Sequence, residues 1–173
     1  LLRSDENALT PQSVRRLLTG PARRCTISVQ DSVTSTNTVL KAIAEQGGAE
    51  GMTLIAQQQT QGKGRLGRTF LSPKGTGLYI SVLLRPKFSA EESLCVTTAA
   101  AVAVAEAIDC VTGQYAQIKW VNDVYVKGRK GCGILTEASV DFENSGLNYA
   151  IVGIGVNVQE PVGGFAPEIR DVA

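Results

Sequence analysis

At 173 residues, 43% hydrophobic and 19% charged, the chain is suited to one globular domain with a real core rather than to a disordered segment. A net charge of +1 supplies no global attraction to nucleic acid or to an anionic membrane. With no histidine, Ser-His-Asp and Cys-His catalysis and His-ligated metal sites are excluded, which leaves Lys, Arg, Asp, Glu, Asn, backbone amides and a bound metal for chemistry.

Thr10-Pro11 caps and opens a short helix with Val14, Leu17 and Leu18 on one face, and Gly20-Pro21 stops it. Residues 1–24 read as a leader and residues 25–173 as the main domain. A strand over 26–30 precedes a helix capped by Ser35-Thr36-Asn37, with Val39, Leu40 and Ile43 on its apolar face and Gly47-Gly48 at its end. Strands are predicted at 52–58 and 77–85, separated by a polar, Gly-rich loop over 60–76. Ser89-x-x-Glu92 is a capping box opening a long helix to about Ile108, apolar on most sides and so expected to pack centrally under a sheet. Strands at 115–119, 123–127, 132–139 and 148–156 follow, with hairpin turns at Lys127-Gly128 and Asn144-Ser145-Gly146. Successive strands without intervening helices predict an α+β fold: a mixed, largely antiparallel sheet with helices packed mainly on one face.

Cys25, Cys95, Cys110 and Cys132 form no Cys-x-x-Cys pair, and Cys95 and Cys132 fall in apolar segments, so buried free thiols of a reducing compartment are expected. No signal peptide is visible, and the longest apolar stretch, Ala99 to Ala105, is far short of a membrane span. A soluble, cytoplasmic protein is expected.

Four segments have the residues for chemistry. Gly62-Lys63-Gly64-Arg65-Leu66-Gly67-Arg68 sets three cations among three glycines, which suits phosphate oxygens and equally suits a solvated basic loop. It matches Gly-x-Gly-x-x-Gly, but Pro73 and Gly75 oppose the helix a dinucleotide fingerprint requires. Lys119-Trp120-Val121-Asn122-Asp123 is either a turn beside a core Trp or a set of polar groups aimed into a cleft, where Asp123 would orient Mg²⁺ or a neighbouring cation. Arg129-Lys130-Gly131-Cys132-Gly133 places cations in a Gly-rich turn, solvated or clamping a carboxylate to a phosphate. Gly153-Ile154-Gly155-Val156-Asn157 interrupts an apolar strand with glycines, where either a ligand or a packed helix comes close.

Taken in order with Ser35-Thr36-Asn37 and Gln59-Thr60-Gln61, these segments resemble the biotin protein ligase family over about residues 26–160. The resemblance implies a fold related to lipoate ligases and class II aminoacyl-tRNA synthetases. It implies activation of biotin by ATP, with Mg²⁺ placed near Asp123, and transfer to a lysine of a biotin carboxyl carrier protein. It implies catalytic roles for Lys130, Arg65 and Asp123. Biotin would meet Ser35, Thr36, Asn37, Gln59, Gly62, Lys63, Arg65, Lys130, Gly133 and Gly153. The nucleotide would meet Lys63, Arg65, Arg68, Phe70, Asn122, Lys130 and Asn157. Lys63 stands where the family usually has Arg, Phe70 where it has Trp, and Val121 where it has Pro.

The family's small C-terminal β domain is not expected after residue 160, and specific DNA binding is not expected of residues 1–24. A homodimer is left open. The alternatives are a lipoate or octanoate ligase or transferase of the same fold, and a non-catalytic biotin-sensing regulator.

Overall fold

The computed structural model describes residues 9–87, 93–141, 146–161 and 163–164. Helix α1 (Pro11–Leu17) is held at its start by a reciprocal capping box between Thr10 and Ser13. It buries none of its residues, and Leu17 is 82% exposed. A single 3₁₀ turn over Gly20–Arg24 leads into strand β1 (Thr26–Gln30).

Then come α2 (Thr36–Glu45), β2 (Met52–Ala56), β3 (Gly77–Leu84), α3 (Ser93–Thr112), β4 (Ala116–Lys119), β5 (Asp123–Val126), β6 (Arg129–Asp141) and β7 (Gly146–Asn157). The strands form one sheet in the order β1-β2-β3-β7-β6-β5-β4. Among the described strands, β1 and β2 run parallel and the other neighbouring pairs are antiparallel, as the run of strands predicts. The Lys127-Gly128 turn is confirmed, with both residues at positive φ, the twist that a two-residue hairpin requires. The Ser89-x-x-Glu92 box and Asn144-Ser145 lie outside the described residues.

Alternation along β7 sorts the two cores, because neighbours on a strand face opposite sides. Val152 packs with Val124, Cys132 and Ile134 beneath Ala101 and Ala105 of α3. Ile151 packs with Leu54, Leu83 and Tyr149 against Leu40 and Ala44 of α2. The helical cover is therefore α3 on one face and α2 at one end of the other face, the rest of which stays open.

Three expectations are corrected. The long helix is not buried on most sides: Thr97, Ala101 and Ala105 face the sheet, while Val102, Val111 and the thiol-bearing Cys95 are exposed. It is long and apolar enough to cross a membrane, yet it lies along the sheet, with Thr97 bonded to Thr136 and Asp109 accepting from the Ala116 N–H. It also runs past Ile108 to Thr112, where Gly113 at φ +65° ends it. Finally, Trp120 is no core residue, being 79% exposed.

Candidate active-site cleft

The open part of the α2 face carries Tyr79, Ser81, Gly133, Leu135, Glu137, Gly153 and Gly155, which alternate inward on paired strands. Above them lie the N-terminus of α2 and the loop over 60–76. Together they border an open cleft over the sheet. It is lined by twelve of the predicted residues: Ser35, Thr36, Asn37, Gln59, Lys63, Arg65, Phe70, Asn122, Asp123, Lys130, Gly133 and Gly153. A wider opening beside it shares Gln59, Arg65, Phe70, Asn122, Asp123 and Lys130, and adds Arg68 and Asn157. Gly62 lines neither space. It accepts from the Phe70 N–H, and a Cβ there would overlap the Phe70 carbonyl, so it shapes the loop.

One end of the cleft is charged. Lys130 belongs to β6 rather than to the turn where sequence placed it; pairing begins at Arg129, directly after Lys127-Gly128. Its Nζ lies 2.8 Å from Asp123 Oδ1, with both side chains mostly buried. Asn122 donates to the same Asp123 oxygen at 2.9 Å and accepts from Arg65 Nη1 at 2.8 Å. Asn157 donates to the Lys130 carbonyl at 3.0 Å. A loop arginine, a hairpin pair and a strand lysine are thus one bonded chain, and Arg65 and Lys130 face the same space.

As for a cation at Asp123, its partners in this structure are Lys130 and Asn122. Among the described residues no group of three Asp, Glu or Cys could hold a metal. Asp123 therefore offers a lone carboxylate, which fits a metal carried in by a polyphosphate and does not make a resident site.

The other end is neutral and buried. Ser35 takes the N-cap position of α2 but makes no capping bond; Gln59 Oε1 reaches across to accept from the Thr36 N–H at 2.9 Å and lies 3.1 Å from Thr36 Oγ1. Gln59 donates to Ser72, which donates to the Phe70 carbonyl. Asn37 bonds Ser81, the Leu135 carbonyl and Glu137. A Cβ at Gly153 would overlap the Asn37 side-chain oxygen, so only glycine fits beneath it. Gly133 and Gly155 serve Phe70 likewise: a Cβ on Gly133 would come within 3.0 Å of its ring. The ring also meets Tyr79 edge-on at 6.4 Å between centroids.

Sequence reasoning missed Ser81 and Glu137. The signal was available: each is a polar residue in the inward register of an apolar strand, beside Tyr79 and Leu83 or Leu135. Cys132, between two site residues, turns its side chain into the opposite core, where burial pushes the thiol up to about 12 against the pull of Lys130. No thiolate nucleophile is available from it near neutral pH.

A glycine floor between a cationic end and a neutral polar end defines a site that can bring a small acid to a phosphate-bearing partner. Residues 29–157 match the model of the biotin/lipoate A/B protein ligase family, and the chain belongs to that family. It is 36% identical over 144 residues to the bifunctional ligase/repressor BirA of Bacillus spizizenii, covering 83% of this chain and 44% of that protein. The biotin protein ligase of Aquifex aeolicus, solved in complex with biotin and ATP, superposes with a TM-score of 0.69 at 36% identity, over 86% of this chain and 58% of that one. The biotin protein ligase of Leishmania major in complex with biotinyl-5-AMP superposes at 0.68 with 25% identity, over 86% and 62%. The chain thus spans less than half of the BirA relative and under two thirds of these solved chains.

Proposed function

We propose that residues 25–173 form the catalytic domain of a biotin protein ligase. In the first step a biotin carboxylate oxygen attacks the α-phosphorus of ATP, giving biotinyl-5′-AMP and pyrophosphate. In the second, the ε-amine of a carrier-protein lysine attacks the acyl carbon, an amide forms, AMP leaves and a proton is released. The observation that carries this reading is the Arg65–Asn122–Asp123–Lys130 chain on one side of a glycine floor, with the Thr36–Gln59–Asn37 group on the other.

Two anions repel as they approach, and a fixed cation between them lowers that barrier. Asp123 holds Lys130 in place; Arg65 is held by Asn122; Arg68 and Asn157 border the wider opening suited to the nucleotide. ATP is the nucleotide, and Mg²⁺ comes with it as part of the substrate. The neutral end suits a cyclic urea and would be wasted on a plain acyl chain, which favours biotin over lipoate or octanoate. The charged end has no use in a sensor without turnover. The macromolecular partner is a biotin carboxyl carrier domain of a carboxylase in the cytoplasm. The near-neutral charge gives this chain no general affinity for DNA.

Biotin-dependent exchange of labelled pyrophosphate into ATP tests the reading without a carrier. Exchange that responds to biotin and ignores lipoate is expected; equal response to both acids removes the assignment.

A further inference from the structure

We propose that Lys119, at the edge of the sheet, receives the pyrophosphate that leaves when the acid attacks the nucleotide. The inference deepens the ligase reading and rests on it for the reaction. Its own ground is the register of the sheet and the direction of the displacement.

Four cross-strand pairs set one row of residues on the cleft face. Lys119 pairs with Asp123, Asp123 with Gly133, Gly133 with Gly155 and Gly155 with Tyr79. Directly opposed residues project from the same side of a sheet, so Lys119 faces as Asp123 does. The next row repeats the pattern, with Tyr125 opposite Lys130. Lys119 Nζ stands 5.4 Å from the centroid of the Tyr125 ring. The ring thus keeps the ammonium on the cleft side of β4, just beyond the residues that line the cleft.

Lys119 is also the unclaimed charge of this row. Asp123 is bonded to Lys130, and the other ion pairs among the described residues join Lys63 to Glu137 and Lys74 to Asp31. From residue 115 to residue 136 the sequence holds one carboxylate, Asp123, against Lys119, Lys127, Arg129 and Lys130. A cation with no carboxylate partner, held beside a reactive cleft, suits an anion.

The direction of the displacement says which anion. A carboxylate oxygen forms its bond to the α-phosphorus on one side. The bond from that phosphorus to its bridging oxygen breaks on the other, and the electron pair leaves with pyrophosphate. No proton is transferred, and the two oxygens stand roughly in line through the phosphorus. The neutral end, over Gly153 of β7, takes the body of the acid. Lys130 of β6 and Asp123 of β5 mark the place of the phosphorus. The same line, continued across the sheet, reaches β4. From Gly133 to Lys119 is two strand spacings, about 10 Å, which a pyrophosphate and an extended lysine side chain span together. Departure the other way is opposed by the Glu137 carboxylate beside Asn37.

The test is pyrophosphate exchange with pyrophosphate as the varied substrate, in the wild type, Lys119→Ala, Lys119→Gln and Lys119→Arg. Expected in Lys119→Ala is a KM for pyrophosphate raised at least about fivefold, with arginine restoring it to within about twofold. Calorimetry with biotin and with a non-hydrolysable analogue of biotinyl-5′-AMP should give unchanged affinities, because neither carries the leaving group. These two ligands separate a lost contact from a distorted site.

An unchanged KM for pyrophosphate, or a loss of adenylate-analogue affinity as large as the loss for pyrophosphate, overturns the proposal. If Lys119→Ala does not fold, Lys119→Gln decides in its place. A wild type without biotin-dependent exchange sinks the ligase reading instead. Magnesium pyrophosphate titrated alone then decides for Lys119: binding weakened at least about fivefold in Lys119→Ala upholds the contact, and absent or equal binding overturns it.

Discussion

The two ends of the cleft are built differently. The charged end draws Arg65 from a loop, Asn122-Asp123 from a hairpin and Lys130 from a strand, and joins them by contacts that a ligand's own charges can replace. The neutral end draws Thr36 and Asn37 from the buried start of α2 and Ser81 from the middle of β3, all at most 3% exposed. Its groups have no water to fall back on, so their geometry is fixed before a ligand arrives. Groups of the first kind can follow charge as it develops; groups of the second kind can only select shape and hydrogen-bond sense. Under the proposed function, chemistry and recognition would be divided between the ends.

Lys130→Ala separates them most sharply. Pyrophosphate exchange should fall by about a thousandfold, because the cation acts as charge develops, while biotin affinity changes by less than about threefold. Stopped exchange together with lost biotin binding would show that the ends are not independent.

A second large effect belongs to the face that neither end uses. The folded Cys132 thiol is raised to about 12 from an ordinary value of 9.0, first by burial. The folded chain therefore keeps its proton at pH values where the unfolded chain has lost it. The associated stability is intact below about pH 9 and is lost as pH rises toward 12, on the order of 4 kcal/mol. Urea titrations across that range should show a steeper alkaline decline in the wild type than in Cys132→Ala. Parallel declines would mean that the thiol is not sealed in the α3 core.

Gly153→Ala strikes the neutral end alone. The new methyl would overlap Asn37, which is confined by Ser81, Leu135 and Glu137 and has nowhere to turn. A stability loss of about 1–3 kcal/mol in urea, with biotin affinity down about tenfold and ATP affinity unchanged, is expected. Unaltered biotin affinity would detach Asn37 from recognition.

The charged end was legible in the sequence because its residues announce themselves: cations among glycines, and Asn-Asp in a turn. What sequence could not give was their convergence, since Arg65 and Lys130 meet only because β6 lies beside β5 and the loop folds over both. The succession of strands disclosed the sheet. Helix α3 was misread because Ala, Val and Cys occupy its exposed side too, and apolarity then no longer tells which face is buried. At the neutral end, Ser35 looked like the helix cap, but Gln59 took that role from 23 residues away, a long-range bond that no local pattern encodes. Ser81 and Glu137 were passed over although each interrupts the inward register of an apolar strand.

The smallest effects come from two loop cations five residues apart. Lys63 lines only the narrow cleft and leans toward Glu137, 3.8 Å away, whereas Arg68 lines only the wider opening. If the division of labour extends into the loop, Lys63→Ala should weaken biotin by about two- to fourfold and leave the KM for ATP alone, because a half-exposed ion pair contributes little. Arg68→Ala should do the reverse, raising the KM for ATP by about three- to tenfold without touching biotin, since a lost guanidinium removes a two-pronged phosphate contact. Both constants come from the pyrophosphate-exchange assay with one substrate varied at a time. If the two variants shift the same constant, the loop acts as one undivided cover, and the boundary between recognition and chemistry runs beneath it, along the glycine floor.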